Sequence, residues 1–138
     1  MRKRPSLIAI GFLTILAVQA MNCGSNNNSN RFLQSITVTP AAADAQKSPN
    51  GQVQFTATGN FTKPPSPSVL TFAVPYSGGF NVDPAMATIV STGTGTVTVQ
   101  CLPGASGTTT VTALACKNAT GTKATCAVAN GTAQLTCP

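Results

Sequence analysis

Four cysteines crowd the last third of the chain, at positions 101, 116, 126 and 137, while a fifth, Cys23, stands alone near the N-terminus. Grouped cysteines in a short exported chain read as a covalent framework, and the parity leaves Cys23 for a different task. Four cysteines allow three connectivities. Local register favours one of them: the run from Cys116 to Cys126 is centred on Gly121, and a three-residue loop of Thr120-Gly121-Thr122 sets Cys116 opposite Cys126. Cys101 and Cys137 then remain for each other. Each bridge would add about 3 kcal/mol by restricting the unfolded chain. Gathering all four thiols round one zinc ion is the alternative, but the spacings are long, no Cys-x-x-Cys pair occurs, and an oxidising compartment favours disulfides.

The N-terminus explains the compartment. Arg2, Lys3 and Arg4 precede a twelve-residue apolar run, Leu7 to Val18, which is too short to span about 30 Å of hydrocarbon and has the layout of a signal peptide. Residues 1–22 are assigned to it. Val18-Gln19-Ala20 suits an ordinary signal peptidase, whereas Ala20-Met21-Asn22-Cys23 resembles a lipoprotein processing site, with Asn22 where Gly, Ala or Ser is usual. The first reading gives a secreted protein. The second places a lipid on Cys23 and holds the protein to a membrane as a cell-envelope lipoprotein, periplasmic or surface-exposed. Residues 23–32, which include Gly24, Ser25 and Asn26-Asn27-Asn28-Ser29-Asn30, have little to bury and form a flexible polar tether under either reading.

The rest, 33–138, suits one domain. Thr, Val, Ala, Gly and Ser dominate it, and no stretch past the leader repeats apolar residues at helical spacing, so helix is expected to be nearly absent. Alternation is clear instead. Ile36 and Val38 oppose Thr37 and Thr39; Val53, Phe55 and Ala57 alternate with Gln52, Gln54, Thr56 and Thr58. The same period of two recurs at Leu70, Phe72 and Val74, at Val97, Val99 and Cys101, and at Val111, Ala113 and Ala115, with a shorter apolar run from Ala87 to Val90. Such alternation marks half-buried strands. Ser48-Pro49-Asn50-Gly51, Lys63-Pro64-Pro65-Ser66-Pro67, Ser77-Gly78-Gly79 and Pro103-Gly104 punctuate them as turns. Asn130-Gly131, between two alternating segments, is a strong hairpin signal, so a C-terminal hairpin is expected from Cys126 to Cys137. The fold class is all-β: a sandwich of about seven short strands plus a disulfide-braced hairpin extension.

Ser35-Ile36-Thr37-Val38-Thr39-Pro40, then Gln52-Val53-Gln54-Phe55-Thr56-Ala57-Thr58-Gly59, then Asp83-Pro84-Ala85-Met86-Ala87-Thr88-Ile89-Val90-Ser91, resemble in order the corresponding segments of bacterial immunoglobulin-like group 2 domains. The resemblance covers residues 33–115 and implies an immunoglobulin-like β-sandwich and an exported location. It departs from the family at Phe72, where a Trp is usual, in having one copy rather than a run of repeats, and in the cysteine-bearing tail. What it implies concerns fold and place, not activity.

Chemistry is excluded more readily than it is assigned. The chain has no His, Glu or Trp, and its two carboxylates, Asp44 and Asp83, lie 39 residues apart. General acid-base catalysis and calcium binding both need more than that; Asp83 before Pro84 reads as a turn residue and Asp44 as an exposed loop acid. Ser48 and Lys47 are adjacent and point apart on an extended chain, without the surroundings a nucleophile needs. No enzyme, cofactor or metal site is expected. Without the leader, five basic residues against two acidic leave a net charge of +3, scattered singly, which is not a nucleic-acid footprint. Asn-x-Ser/Thr triplets at Asn27, Asn60, Asn118 and Asn130 follow from composition. One segment, Val74-Pro75-Tyr76-Ser77-Gly78-Gly79-Phe80, brackets two glycines with aromatics and is the candidate ligand-contact loop, through Tyr76 and Phe80. The competing reading folds Phe80 back over the core and ends a strand at Tyr76. Thr108, Thr110 and Thr112 read as the solvated side of a strand. The function expected is noncatalytic: surface adhesion, structural display or binding of a protein or polysaccharide partner, with a freely secreted binding or inhibitor module as the alternative.

Overall fold

A computed structural model describes residues 31–117 and 126–138. The leader, Cys23, Asn27, Asn118 and the Thr120-Gly121-Thr122 loop lie outside the described residues. Nine strands are assigned: β1 Leu33–Thr39, β2 Ala42–Asp44, β3 Gln52–Phe61, β4 Ser68–Val69, β5 Gly78–Asn81, β6 Ala87–Gly93, β7 Thr96–Cys101, β8 Gly107–Cys116 and β9 Val128–Cys137. Among the described residues the only helical pieces are single 3-10 turns at Ala45–Lys47 and Pro49–Gly51.

The strands form two sheets. One runs β1-β3-β7-β6, with β4 added to β3; the other runs β2-β9-β8-β5. They enclose one core, because the period-two pattern turns every second side chain inward. Val53, Phe55 and Ala57 on β3 and Val97 and Val99 on β7 meet Val111 and Ala113 on β8 and Leu135 on β9, all buried. Phe55 alone, fully buried, contributes about 2 kcal/mol by leaving water. The chain changes sheet after Pro40: β1 is antiparallel to β3, and β2 then lies parallel to the last strand, β9.

Four local expectations need correction. The alternation at Leu70, Phe72 and Val74 does not make a strand. Leu70 is buried, yet Phe72 takes a left-handed φ of 56° and Val74 is 83% exposed. Pro75 next along the chain supplies no N–H and restricts Val74, so the pattern cannot extend into a ladder. Ser77-Gly78-Gly79 is not a turn either, for Gly78 and Gly79 open β5 and pair with Ala115 and Leu114 of β8. A Cβ at Gly78 would stand 2.7 Å from Ala115 Cα: the glycine permits close approach. Asp44 is not in a loop; it ends β2, and its carboxylate accepts a hydrogen bond from Gln46 N, capping the next turn.

The largest correction concerns Asn130-Gly131. No hairpin forms there: both residues sit inside β9, opposite Leu114 and Ala113 of β8. The hairpin is β8–β9 itself, and its ladder runs unbroken from Gly107↔Cys137 to Cys116↔Val128. What was expected to be an appended hairpin is an internal strand of the second sheet. Gly131 has its role in packing, since a Cβ there would fall 2.8 Å from the Ile36 carbonyl carbon of β1 and closer still to its oxygen. A glycine serves such an approach because no side chain intervenes.

Gly131→Val should therefore destabilise the protein by at least about 2 kcal/mol, through a backbone collision that no rotamer relieves. Asn130→Ala, at an exposed position, should change stability by less than about 1 kcal/mol. Chemical denaturation of both variants checks this; a Gly131→Val protein as stable as the parent would contradict the packing.

Candidate functional site

Strand directions give the molecule two poles. β1 begins and β3 ends at one, where Leu33 is opposite Phe61 and Leu33 N donates to Lys117 O at 2.8 Å. β7 and β9 both end at the other, where Gln52 pairs with Gln100 and Gly107 with Cys137.

The first pole is where the chain joins the domain, and Arg31 fastens it there. Although Arg31 falls in the stretch 23–32 expected to be a tether, its guanidinium lies 3.5 Å from the Phe61 ring centroid. It also donates to Ser68 Oγ at 2.9 Å, to Lys63 O at 3.2 Å and to Pro65 O. Tyr76 completes the clasp by donating its hydroxyl to Arg31 O at 2.7 Å, with its ring 4.9 Å from that of Phe61. Arginine suits such a place because its planar fork reaches several acceptors while stacking on a ring.

The two aromatics of the loop are placed differently. Tyr76 is 7% exposed and belongs to the core, and the half-buried Phe80 packs edge-on against Phe72, ring centroids 5.1 Å apart. Phe80 also borders an open surface hollow with Gly79, Asn81 and Leu114. Tyr76 does not end a strand; it lies in the bend before β5.

The four grouped cysteines form two disulfides, Cys101–Cys137 and Cys116–Cys126, the pairing that local register favours and not a tetrathiolate. Their placement is informative. Cys116–Cys126 closes the β8–β9 connection near the clasp, whereas Cys101–Cys137 joins the end of β7 in one sheet to the end of β9 in the other. Among the described residues, no group of three or more His, Cys, Asp or Glu side chains gathers to hold a metal ion.

Beside Cys101, at the far pole, the turns at 45–51 and 101–105 flank an open cleft of about 460 Å³. Its polar groups are the carboxamides of Gln46 and Gln100 and the hydroxyl of Ser48; Leu102, Pro103 and Ala105 supply an aliphatic wall. The turns are held in place: Gln100 Nε2 donates to Asn50 O at 3.4 Å, Leu102 N donates to Met86 O at 2.9 Å, and Ser48 Oγ donates to Asp44 O at 3.2 Å. Asn50, Gly51 and Gly104 supply the left-handed φ values these turns require. No ionisable side chain lines the cleft, and Pro138 completes its border.

The carboxylates are engaged elsewhere. Asp44 Oδ2 pairs with Lys47 Nζ at 3.5 Å, and Asp83 Oδ1 accepts from Ala85 N at 2.9 Å in the turn before β6. Lys47 is thus tied to Asp44, and Ser48 donates to a backbone carbonyl rather than presenting a nucleophile. Thr108 and Thr110 are exposed on the outer face of β8, with Thr112 half-buried beside them. Sequence marked the cleft's turns, Ser48-Pro49-Asn50-Gly51 and Pro103-Gly104, but nothing local brings segments 50 residues apart together. No family model, curated protein or solved structure matches the chain.

Replacing both Cys101 and Cys137 by Ala should lower the melting temperature by more than about 10 °C, since opening a bridge across a separation of 36 residues costs about 4 kcal/mol in chain entropy. An unchanged melting curve would mean that the bridge does not brace this pole.

Proposed function

We propose that the chain is a noncatalytic cell-envelope protein whose immunoglobulin-like domain stands on an N-terminal anchor and works in surface adhesion, structural display or partner binding. One observation carries this reading: the chain enters at the pole fastened by Arg31, and the cleft opens at the opposite pole, braced by Cys101–Cys137. A module anchored through its N-terminus would present the cleft outward.

The strand order supports the immunoglobulin-like part. Lettering β1, β3, β7 and β6 as A, B, E and D, and β5, β8 and β9 as C, F and G, gives the ABED and CFG sheets of that architecture, with β2 as a short strand crossing to the second sheet. Two disulfides suit an oxidising compartment. The leader, with Arg2, Lys3 and Arg4 before Leu7 to Val18 and Cys23 after it, supports export, and a lipid on Cys23 supplies the anchor. The carboxamides of Gln46 and Gln100 and the aliphatic wall of the cleft support a hydrogen-bonding partner group, such as a segment of polysaccharide or a protein loop.

A freely secreted binding or inhibitor module is the second reading, favoured by Val18-Gln19-Ala20 as a signal-peptidase site. Intact mass of the mature protein from membrane and soluble fractions, before and after reduction and alkylation, distinguishes them. The anchored reading predicts a membrane-bound species starting at Cys23, with a lipid-sized increment and four thiols released on reduction. A soluble species with one thiol already free would overturn it.

A further inference from the structure

Besides the two-residue β4, four strands end the two sheets, and three of these edges are closed to further pairing. β6 is broken by a register shift between Ile89 and Ser91. β2 is three residues long and runs into the Asp44–Lys47 ion pair. β1 lies against β9, with the Ile36 carbonyl facing Gly131. Bulges, charges, short length and coverage are the usual ways of blunting an edge.

β5 is different. It pairs with β8 on one side, and among the described residues no backbone hydrogen bond reaches its other side. Its sequence, Gly78-Gly79-Phe80-Asn81, contains no charge, proline or bulge. Register fixes which way each residue faces. Phe80 is opposite buried Ala113 and turns inward; Gly79 is opposite Leu114, exposed to 38%, and turns outward. Nothing lies within 4 Å of where a Gly79 Cβ would be. Leu114, with Val128 close by in the next strand at 52% exposure, is thus an apolar surface reached across bare backbone.

We infer that the β5 edge is a strand-addition site for an extended, uncharged segment of a partner protein carrying an aromatic side chain opposite Gly79. Main-chain hydrogen bonds would supply affinity, as in other β-augmentation complexes. The aromatic ring would cover the glycine and reach Leu114, since an aromatic neighbour fills the space that an edge glycine leaves. A second copy of the chain does not fit: antiparallel pairing of β5 with itself puts only Gly79 and Asn81 on the outer face, because Phe80 is committed inward against Phe72. The occupant must bring its own aromatic.

The test is an NMR titration of the isotope-labelled full-length mature chain with two capped peptides, Ser-Thr-Val-Thr-Phe-Thr-Val-Thr-Ser and its twin with Ala for Phe. The expected result is shifts concentrated at residues 78–81 and Leu114, with the Phe peptide binding about fivefold more tightly than the Ala peptide. Gly79→Val, which has room for its side chain, should keep the parent melting temperature and erase the difference between the peptides. Absence of shifts at β5 with either peptide, equal binding of the two, shifts at β6 instead, or self-association through β5 would each overturn the inference.

Discussion

Strand β9 is the constraint on which the rest of the structure depends. It pairs with β2 on one side and β8 on the other, it meets the β1 backbone through Gly131, and its last cysteine is bonded to β7 in the opposite sheet. Removing any of these contacts would loosen a different part of the molecule. The second sheet is complete only when β9 is in place between β2 and β8, and the inter-sheet disulfide holds that closure. In a domain of this size, such a crosslink supplies stability that a small core alone provides sparingly.

The two disulfides divide the labour between the poles. Cys116–Cys126 stabilises a local connection, close to where Arg31, Phe61 and Tyr76 fasten the start of the domain. Cys101–Cys137 spans the layers and borders the cleft. The chain has no His, Glu or Trp, and its described carboxylates serve turns and a surface ion pair. The domain carries a cleft lined by carboxamide, hydroxyl and aliphatic side chains at one end and a strand edge without a described backbone partner along one side.

Strands announced by strict alternation were legible in sequence. Ile36 with Val38, Val53 through Ala57, Val97 with Val99, and Val111 through Ala115 all lie in strands with those side chains turned inward, since burial of every second residue is a local property. The glycines misled, because the same residue answers two needs. At Gly51 and Gly104 it provides a left-handed turn, as the neighbouring proline and asparagine suggest. At Gly78 and Gly131 it lets another backbone approach, and that neighbour is distant in sequence and invisible from it. The Leu70 to Val74 segment misled for a related reason: Pro75 and the left-handed Phe72 override three correctly spaced apolar residues. Arg31 carried no signal at all, for its ring partner and carbonyl acceptors come together only once β1 and β3 have paired.

The most direct test is residue-resolved amide hydrogen exchange along the C-terminal segment of the oxidised protein. An internal β9 requires the amides that face β8, those of Ala129, Gly131, Ala133 and Leu135, to exchange as slowly as their β8 counterparts. Fast exchange at Gly131, between slow amides at Ala129 and Ala133, would mean that a turn lies there, and the central role given to β9 would be wrong.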